Sequence, residues 1–592
     1  MPFLIDPRAG DCEDDASSTD QRPLLAIAGT MLAELSLIKL AVTWLLVVAM
    51  PALVIGLTIP LLSAWLTKVS DRAAAFTGIG SVIVLSVLAA VAWFGLRPLL
   101  RLAESNFWAL HSIVVQPFYT LAREGIRHVA ELSLFAKANE ITRAKARSAI
   151  SLFAAAICVA LAWMIVSITW PYTRWDANVG DLASITTWIK PAIANAIVVI
   201  TAYFGMFSLI SGLSDALMDQ PVRLAAFDGP GFGDKVFRVA HLSDLHMISD
   251  PYGFRIESGR AGPQGNSQAE RLFEEMSRIN EKEPLDLIIV SGDVTDAGRS
   301  AEWAAFFDII ESYPSLLSRM LITPGNHDLN IVDRANPARL ELPMSAWKRL
   351  RQMRTISALE RVQGERVHVF DRKTRKIGPT LSQKLETHRR DIAAFAERTS
   401  LWGAYKLSPV WADCFPLVSL PLSPDGVGVL ILNSNANANF SFTNALGLVP
   451  AEDAAALVTI IREHPQAKWI IALHHHLVEY PMRVKQFSER IGTSLINGSW
   501  LIRQLKPFSH RVIIMHGHRH VDWIGACGDL KIVSAPSTVM RKPSGAAGSF
   551  LIHSIFARED GSIGLTPPDR VIVGEARSGE SLAATERPGG LM

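Results

Sequence analysis

Cysteine is scarce in this chain: 4 residues in 592, at Cys12, Cys158, Cys414 and Cys527. No two of them form a C-x-x-C or other paired spacing, and one lies in an apolar run. This argues against a disulfide framework and against a zinc–thiolate site, and fits a reducing compartment. A surplus of one charge sign is missing too. The 58 Lys and Arg residues against 56 Asp and Glu leave a net charge of +2, too mild to indicate a nucleic-acid partner. The first 25 residues lack the basic start and short apolar core of a signal peptide. They are acidic and turn-rich, which predicts a disordered cytosolic tail over residues 1–34.

Long hydrophobic runs, by contrast, are plentiful. Hydrophobic residues make up 49% of the chain, and they concentrate in its first third. The runs 40–66, 79–100, 149–170 and 191–213 are each apolar and long enough to cross ~30 Å of hydrocarbon. Pro51 and Pro60 would kink the first run without disqualifying it. Trp65, Trp93, Trp163, Trp170, Trp175 and Trp188 lie in or beside the runs, several near their ends, as interfacial belts require. The sequence therefore predicts a four-helix transmembrane domain over 35–220. Arg101, Arg123, Arg127, Lys137, Arg143, Lys145 and Arg147 mark 101–148 as its basic cytoplasmic loop, against only Lys68 and Arg72, or Arg174 and Lys190, in the other two. Both termini then lie on the cytoplasmic side of an inner or plasma membrane. The only charge within the runs is Arg97, near an end, and the one amide is Asn195, so anchor or sensor is a better reading than transporter.

From residue 235 short apolar β runs alternate with helical segments, which indicates an α/β layered domain over 235–564. The segment 331–400 is longer than a plain connection. It is helical in pattern and rich in Arg and Lys, which admits a solvated face, a cap that binds substrate phosphate, or a surface against anionic lipid. Residues 565–592 read as a disordered tail.

Five of the β runs end in residues that bind metals. Asp244 and His246 follow the first, Asp293 the second, and Asn326, His327 and Asp328 the third. His474, His475 and His476 follow another, and "IIMHGHRH" carries His516, His518 and His520. In an extended segment residues i and i+2 project to one side, so Asp-x-His and His-x-His can each serve one centre. Carboxylates, imidazoles and one amide without thiolate suit Mn, Fe, Zn or Ni. The donors are too many for one ion and about right for two bridged by a shared carboxylate.

The series "SDLH", "SGDVTD", "GNHD", "LHHH" and "GHRH" resembles the calcineurin-like metallophosphoesterases in composition, order and approximate spacing, over about residues 235–557. The resemblance implies a four-layer αββα sandwich. It implies Asp244, His246 and His520 on a first metal, Asn326, His474 and His518 on a second, and Asp293 bridging both. His475 is the alternative to His474, and His516 reads as a hydrogen-bonded neighbour. His327 corresponds to the family's histidine that stabilises the transition state or protonates the leaving oxygen, with Asp328 orienting its ring. The expected function is a membrane-anchored phosphoesterase in which a hydroxide activated by two divalent ions hydrolyses a phosphodiester or phosphoanhydride. The substrate would be a phosphorylated small molecule or a lipid-linked one. A membrane sensor or scaffold with a non-catalytic domain is the second reading.

Overall fold

The computed structural model describes residues 3–8, 45, 56, 114–135, 138–173, 185–229, 235–249, 254–255, 260–261, 265–332, 341, 345–436, 445–482, 495–539 and 548–573. Its first long elements are helices α1 (Gln116–Ser133), α2 (Glu140–Thr169) and α3 (Ile185–Ala216). Asn139 starts α2 by accepting a hydrogen bond from the Thr142 amide, which supplies one of the acceptors a helix N-terminus lacks. Small residues let α2 and α3 lie close and antiparallel: a Cβ on Gly205 would meet Ala162, and one on Gly212 would meet Ala155. The segments Thr142–Tyr172 and Ile189–Ala216 are long and apolar enough to cross a membrane, yet only 28% and 39% of their apolar windows are buried. A core helix of a soluble domain would be mostly covered; here Phe153, Trp163 and Ile168 of α2 stand exposed.

These two helices coincide with the third and fourth expected spans. Apart from residues 45 and 56, the first two expected spans lie outside the described residues; among the described residues two helices match expected spans. The basic loop is also revised. Much of it is α1 and the start of α2, and Arg123, Arg127 and Arg147 are buried. They are engaged by Glu124, Asp215 and Glu131 rather than displayed to solvent.

The strands of the two large sheets, in chain order, begin with β1 (Pro221–Arg223), β2 (Phe237–Leu242), β3 (Leu287–Val290), β4 (Met320–Ile322), β5 (His368–Asp371) and β6 (Lys376–Thr380). There follow β7 (Leu417–Ser419), β8 (Val427–Ile431), β9 (Lys468–Ala472), β10 (Val512–His516), β11 (Trp523–Cys527) and β12 (Leu530–Ser534). The last are β13 (Ser549–Ala557), β14 (Ile563–Leu565) and β15 (Asp569–Ile572). A nine-stranded sheet runs β1-β11-β12-β10-β9-β8-β7-β5-β6. A six-stranded sheet runs β14-β13-β2-β3-β4, with β15 also on β13. β2, β3 and β4 are mutually parallel, as are β8, β9, β10 and β12.

Alternation along the central strands assigns the layers. Ile470, Ile513 and Met515 share a core with Val239, Ile288 and Leu321 of the other sheet. The alternate residues Trp469, Ile471 and Ile514 pack instead under Leu457 and Ile460 of helix Ala451–Glu463 and Leu501 of helix Gly498–Leu505. The outer face of the six-stranded sheet is covered by Phe273 and Met276 of helix Ser267–Lys282 and by Phe306 and Phe307 of helix Ser300–Ile310. Central strands buried on both faces explain why β3, β9 and β10 read as continuous apolar runs.

Three boundaries differ from expectation. β15 extends the six-stranded sheet past residue 564, into the predicted tail; only Val571 of its four residues is buried, too weak a pattern to mark a strand in sequence. Within the predicted N-terminal tail, Leu4 and Ile5 are buried in the core, and Ser357 hydrogen-bonds both the N–H and the C=O of Ile5. The insertion is not wholly helical: β5 and β6 form a hairpin at the sheet edge. Two of its basic residues are buried braces, Arg351 on Glu341 and the Leu329 carbonyl and Arg354 on the Gly298 carbonyl.

Candidate metal centre

Parallel strands deliver their C-terminal ends to one edge of a sheet, and here both sheets do so toward each other. Asp244 and His246 follow β2, Asp293 follows β3, Asn326–Asp328 follow β4, His474 follows β9, and His518 and His520 follow β10. The loops are stitched together by main-chain hydrogen bonds. The amides of Asp244 and His246 donate to the carbonyls of Gly292 and Asp293, and the Gly517 amide donates to the His474 carbonyl. Asp244, His246, Asp293, His518 and His520 all have φ between 43° and 74°. Left-handed backbone at five non-glycine positions is unfavourable, and its concentration here marks a site held together for function.

The donor atoms converge in three overlapping groups, each with its atoms within 4.8 Å: Asp244, His246 and His520; His246, Asp293 and His327; Asp293, His474 and His518. Asp293 belongs to two of them. Its Oδ2 lies 3.2 Å from His474 Nε2, and its Oδ1 accepts the His327 amide at 2.8 Å. Asn326 Oδ1 lies 3.0 Å from the same His474 Nε2, and His518 Nδ1 lies 3.1 Å from it. On the other side His520 Nε2 is 3.2 Å from Asp244 Oδ1 and 3.2 Å from His246 Nε2. All seven residues expected to hold metal therefore line one buried cluster.

Tautomers fix which atoms face inward. His474 donates from Nδ1 to the Ser291 carbonyl at 2.8 Å, and His246 Nδ1 lies 3.1 Å from the Asp296 carboxylate. Each nitrogen so placed carries the proton, so in the neutral ring Nε2 presents a lone pair to the cluster. Asp244 Oδ1 and His518 Nε2 are buried without a hydrogen-bond partner among the described residues. Buried lone pairs left without a donor, as at these two atoms, suit a cation, and the mixed O and N set fits a divalent one.

Charge coupling follows from the same distances. Burial opposes ionisation of Asp244, but His520 holds its carboxyl down at about 2. Burial likewise opposes Asp293, yet His474 and His327 keep it well below the ordinary carboxylate range. Burial would lower His474, and Asp293 overrides it, raising the imidazole to about 9. His518 is driven well below its ordinary value by burial and by His475 and His474.

One supporting role comes out differently from expectation. Asp328 does not serve as the orienting partner of His327. Its Oδ1 accepts from the amide and hydroxyl of Thr295, and its Oδ2 from the Gly325 amide. Burial, with Asp293 nearby, pushes its carboxyl up to about 7. His327 donates from Nδ1 to the carbonyl of Asp296 at 2.8 Å. Asp296 thus steadies both His246 and His327. It went unassigned in the sequence, although it closes the "SGDVTD" motif. His475 turns to Ser434 (Nδ1 to Oγ 2.9 Å), and His516 stays buried in β10, stacked on Tyr480.

Gly325 lets the 326–328 turn approach Asp293, because a Cβ there would fall on the Asp293 amide and Oδ1. Gly325→Ala should displace Asp293 and weaken metal retention about 10–100-fold, as loss of an outer support does. Elemental analysis after dialysis against graded chelator measures it, and wild-type retention would mean the close approach does not matter.

Residues 237–522 match a family model described as calcineurin-like phosphoesterase. Among solved structures, the chain is similar to a dimetal phosphatase from Danio rerio at 10% identity, covering 57% of this chain and 99% of that one, with a TM-score of 0.31. It is similar to a putative 5'-nucleotidase from Staphylococcus aureus at 13% identity, covering 58% and 55%, also with a TM-score of 0.31. A third is the NAD nucleotidase of Haemophilus influenzae, at 12% identity, covering 57% and 56%, with a TM-score of 0.28. The chain thus spans little more than half the length of the two nucleotidases. No curated protein matches it in sequence.

Proposed function

We propose, from the premise that residues 237–522 are a calcineurin-like phosphoesterase domain, that this chain is a membrane-anchored hydrolase of phosphodiesters or phosphoanhydrides working with two divalent cations. The observation that carries the reading is the shared position of Asp293 between two donor groups, His246 with His327 and His474 with His518. Asp244, His246 and His520 would hold one cation, Asn326, His474 and His518 the other, and Asp293 both. When bound, such a pair supplies Lewis acidity at phosphorus and a water acidic enough to attack near neutral pH.

The protein's own groups do the rest. Strained loops fix the donors before substrate arrives, so little reorganisation is left for the reaction. His327, with its ring set by the Asp296 carbonyl and packed edge-on to His246 at 4.8 Å between centroids, is placed to give a proton to the departing oxygen or to balance charge on the phosphoryl group. Support for anchoring is the largely uncovered apolar surface of α2 and α3. With the basic loop inside, the catalytic domain faces the cytoplasm. Resistance to alkaline carbonate extraction tests the anchoring, and release into the supernatant would remove it. A panel of phosphomonoesters, diesters and pyrophosphates, run with added Mn²⁺ and with chelator, tests the chemistry. Hydrolysis indifferent to chelator would overturn the metal-dependent reading.

The charge state of His474 gives a pH prediction. Its folded-state value of about 9 lies above the ordinary imidazole value, so below that pH a proton occupies the ring and an incoming cation must displace it. Loading should release protons, and apparent affinity should rise about tenfold per pH unit for each proton displaced, levelling near 9. Calorimetry in buffers of different ionisation enthalpy measures the release; affinity flat between pH 6 and pH 8, about the range where neutral histidine sites load, would contradict it.

A further inference from the structure

A cavity of about 190 Å³ lies where α1, α2 and α3 meet the catalytic domain. Its walls hold Arg123 and Arg127 of α1, Arg147 near the start of α2, and Ser211 and Ser214 near the end of α3. The start of one apolar helix and the end of its antiparallel neighbour lie at the same level. On the membrane reading above, that level is the cytoplasmic headgroup zone.

The charges around the cavity do not cancel. Asp215 is taken by Arg123, Glu124 is shared by Arg123 and Arg127, Glu131 is taken by Arg147, and Glu479 faces Arg519. Of these groups Arg123, Arg127, Arg147, Asp215 and Glu479 line the cavity, and with Arg503, also on the wall, five guanidiniums in and behind it stand against four carboxylates. Arg503 is exposed and has no ion-pair partner among the described residues. Arg127 is buried, at 6% exposure, and its Nε has no hydrogen-bond partner among the described residues. A buried unmet donor and a spare positive charge call for a singly charged acceptor group.

Size and surroundings narrow the class. The chamber has room for several waters, enough for a phosphate group with part of its ester. Ile210 lines the cavity and is 48% exposed. Met206 and Leu213, at helical spacing on the same face of α3, are 54% and 42% exposed. An apolar stripe therefore leads away from the polar chamber. The opposite wall is His476–Glu479, and His476 stacks on His518 with centroids 5.9 Å apart.

We propose that this cavity binds the phosphate of a lipid of net charge −1, with no headgroup cation to cancel it, whose chains follow α3, directly behind the loop that carries His474. The lipid source rests on the anchored reading; the phosphate site does not.

The test uses the full chain in phosphatidylcholine nanodiscs, with native mass spectrometry as readout. One arm adds phosphatidylglycerol and the other inorganic phosphate. Expected is preferential retention of phosphatidylglycerol, weakened about fivefold by Arg503→Gln and abolished by the cavity-filling Ser211→Phe. Arg503 is a surface residue, so its variant carries the test if Ser211→Phe misfolds. Retention of phosphate without lipid preference keeps the site and makes its ligand soluble. Equal retention of both lipids with no phosphate bound, or retention unchanged in Arg503→Gln, overturns the proposal. Hydrolysis of a chromogenic diester is measured on the same samples, so loss of the catalytic reading would be seen separately.

Discussion

Asp293→Ala should abolish metal-dependent hydrolysis, with a loss greater than the ~10²–10³ that removal of one preorganised electrostatic group costs. The carboxylate does three things at once. It faces His474 Nε2 at 3.2 Å, accepts the His327 amide, and shares a donor group with His246. No neighbour can take over, because Asp244 is committed to His520 and the His518 amide. Asp293→Asn separates charge from shape: it can still accept the amide hydrogen bond but cannot neutralise a cation pair. Both variants should retain less metal than wild type, and His474 should titrate lower in each, since the group that raises it is gone. Wild-type turnover of a generic diester by either variant would show the assignment of Asp293 to be wrong.

His327→Ala should behave oppositely with respect to metal. Its ring is held from outside the cluster by the Asp296 carbonyl, so its removal should leave metal content unchanged and lower kcat by about 10²–10⁴, the usual share of a positioned acid or base. Substrates with leaving groups that need no protonation should suffer least. His327 also belongs to a donor group with His246 and Asp293, so one outcome is sharply informative: a variant stripped of metal would make His327 a ligand rather than a proton carrier.

The residues that converge were legible because carboxylates and imidazoles ended apolar runs, and i, i+2 spacing puts such pairs on one side of an extended chain. The same rule could not choose between His474 and His475, since which side faces the cluster depends on how the chain leaves β9. The Ser291 carbonyl and Ser434, distant in sequence, fix that choice. Asp328 was misread because it adjoins His327; adjacent residues on one helical turn do not face each other. The basic segments overstated exposure. Arginine content reports charge but not burial, and Arg351, Arg127 and Arg147 lie inside, opposite carboxylates no local pattern identifies. Sheet order, and the docking of Leu4 and Ile5, depend on long-range packing that periodicity does not encode.

The central claim is that loops from two sheets cage a pair of cations. Metal content and activity measured on one purified sample test it most directly. The account predicts close to two equivalents of divalent metal per chain, loss of hydrolysis as chelator removes them, and recovery on their return. Full activity in protein freed of metal would contradict it.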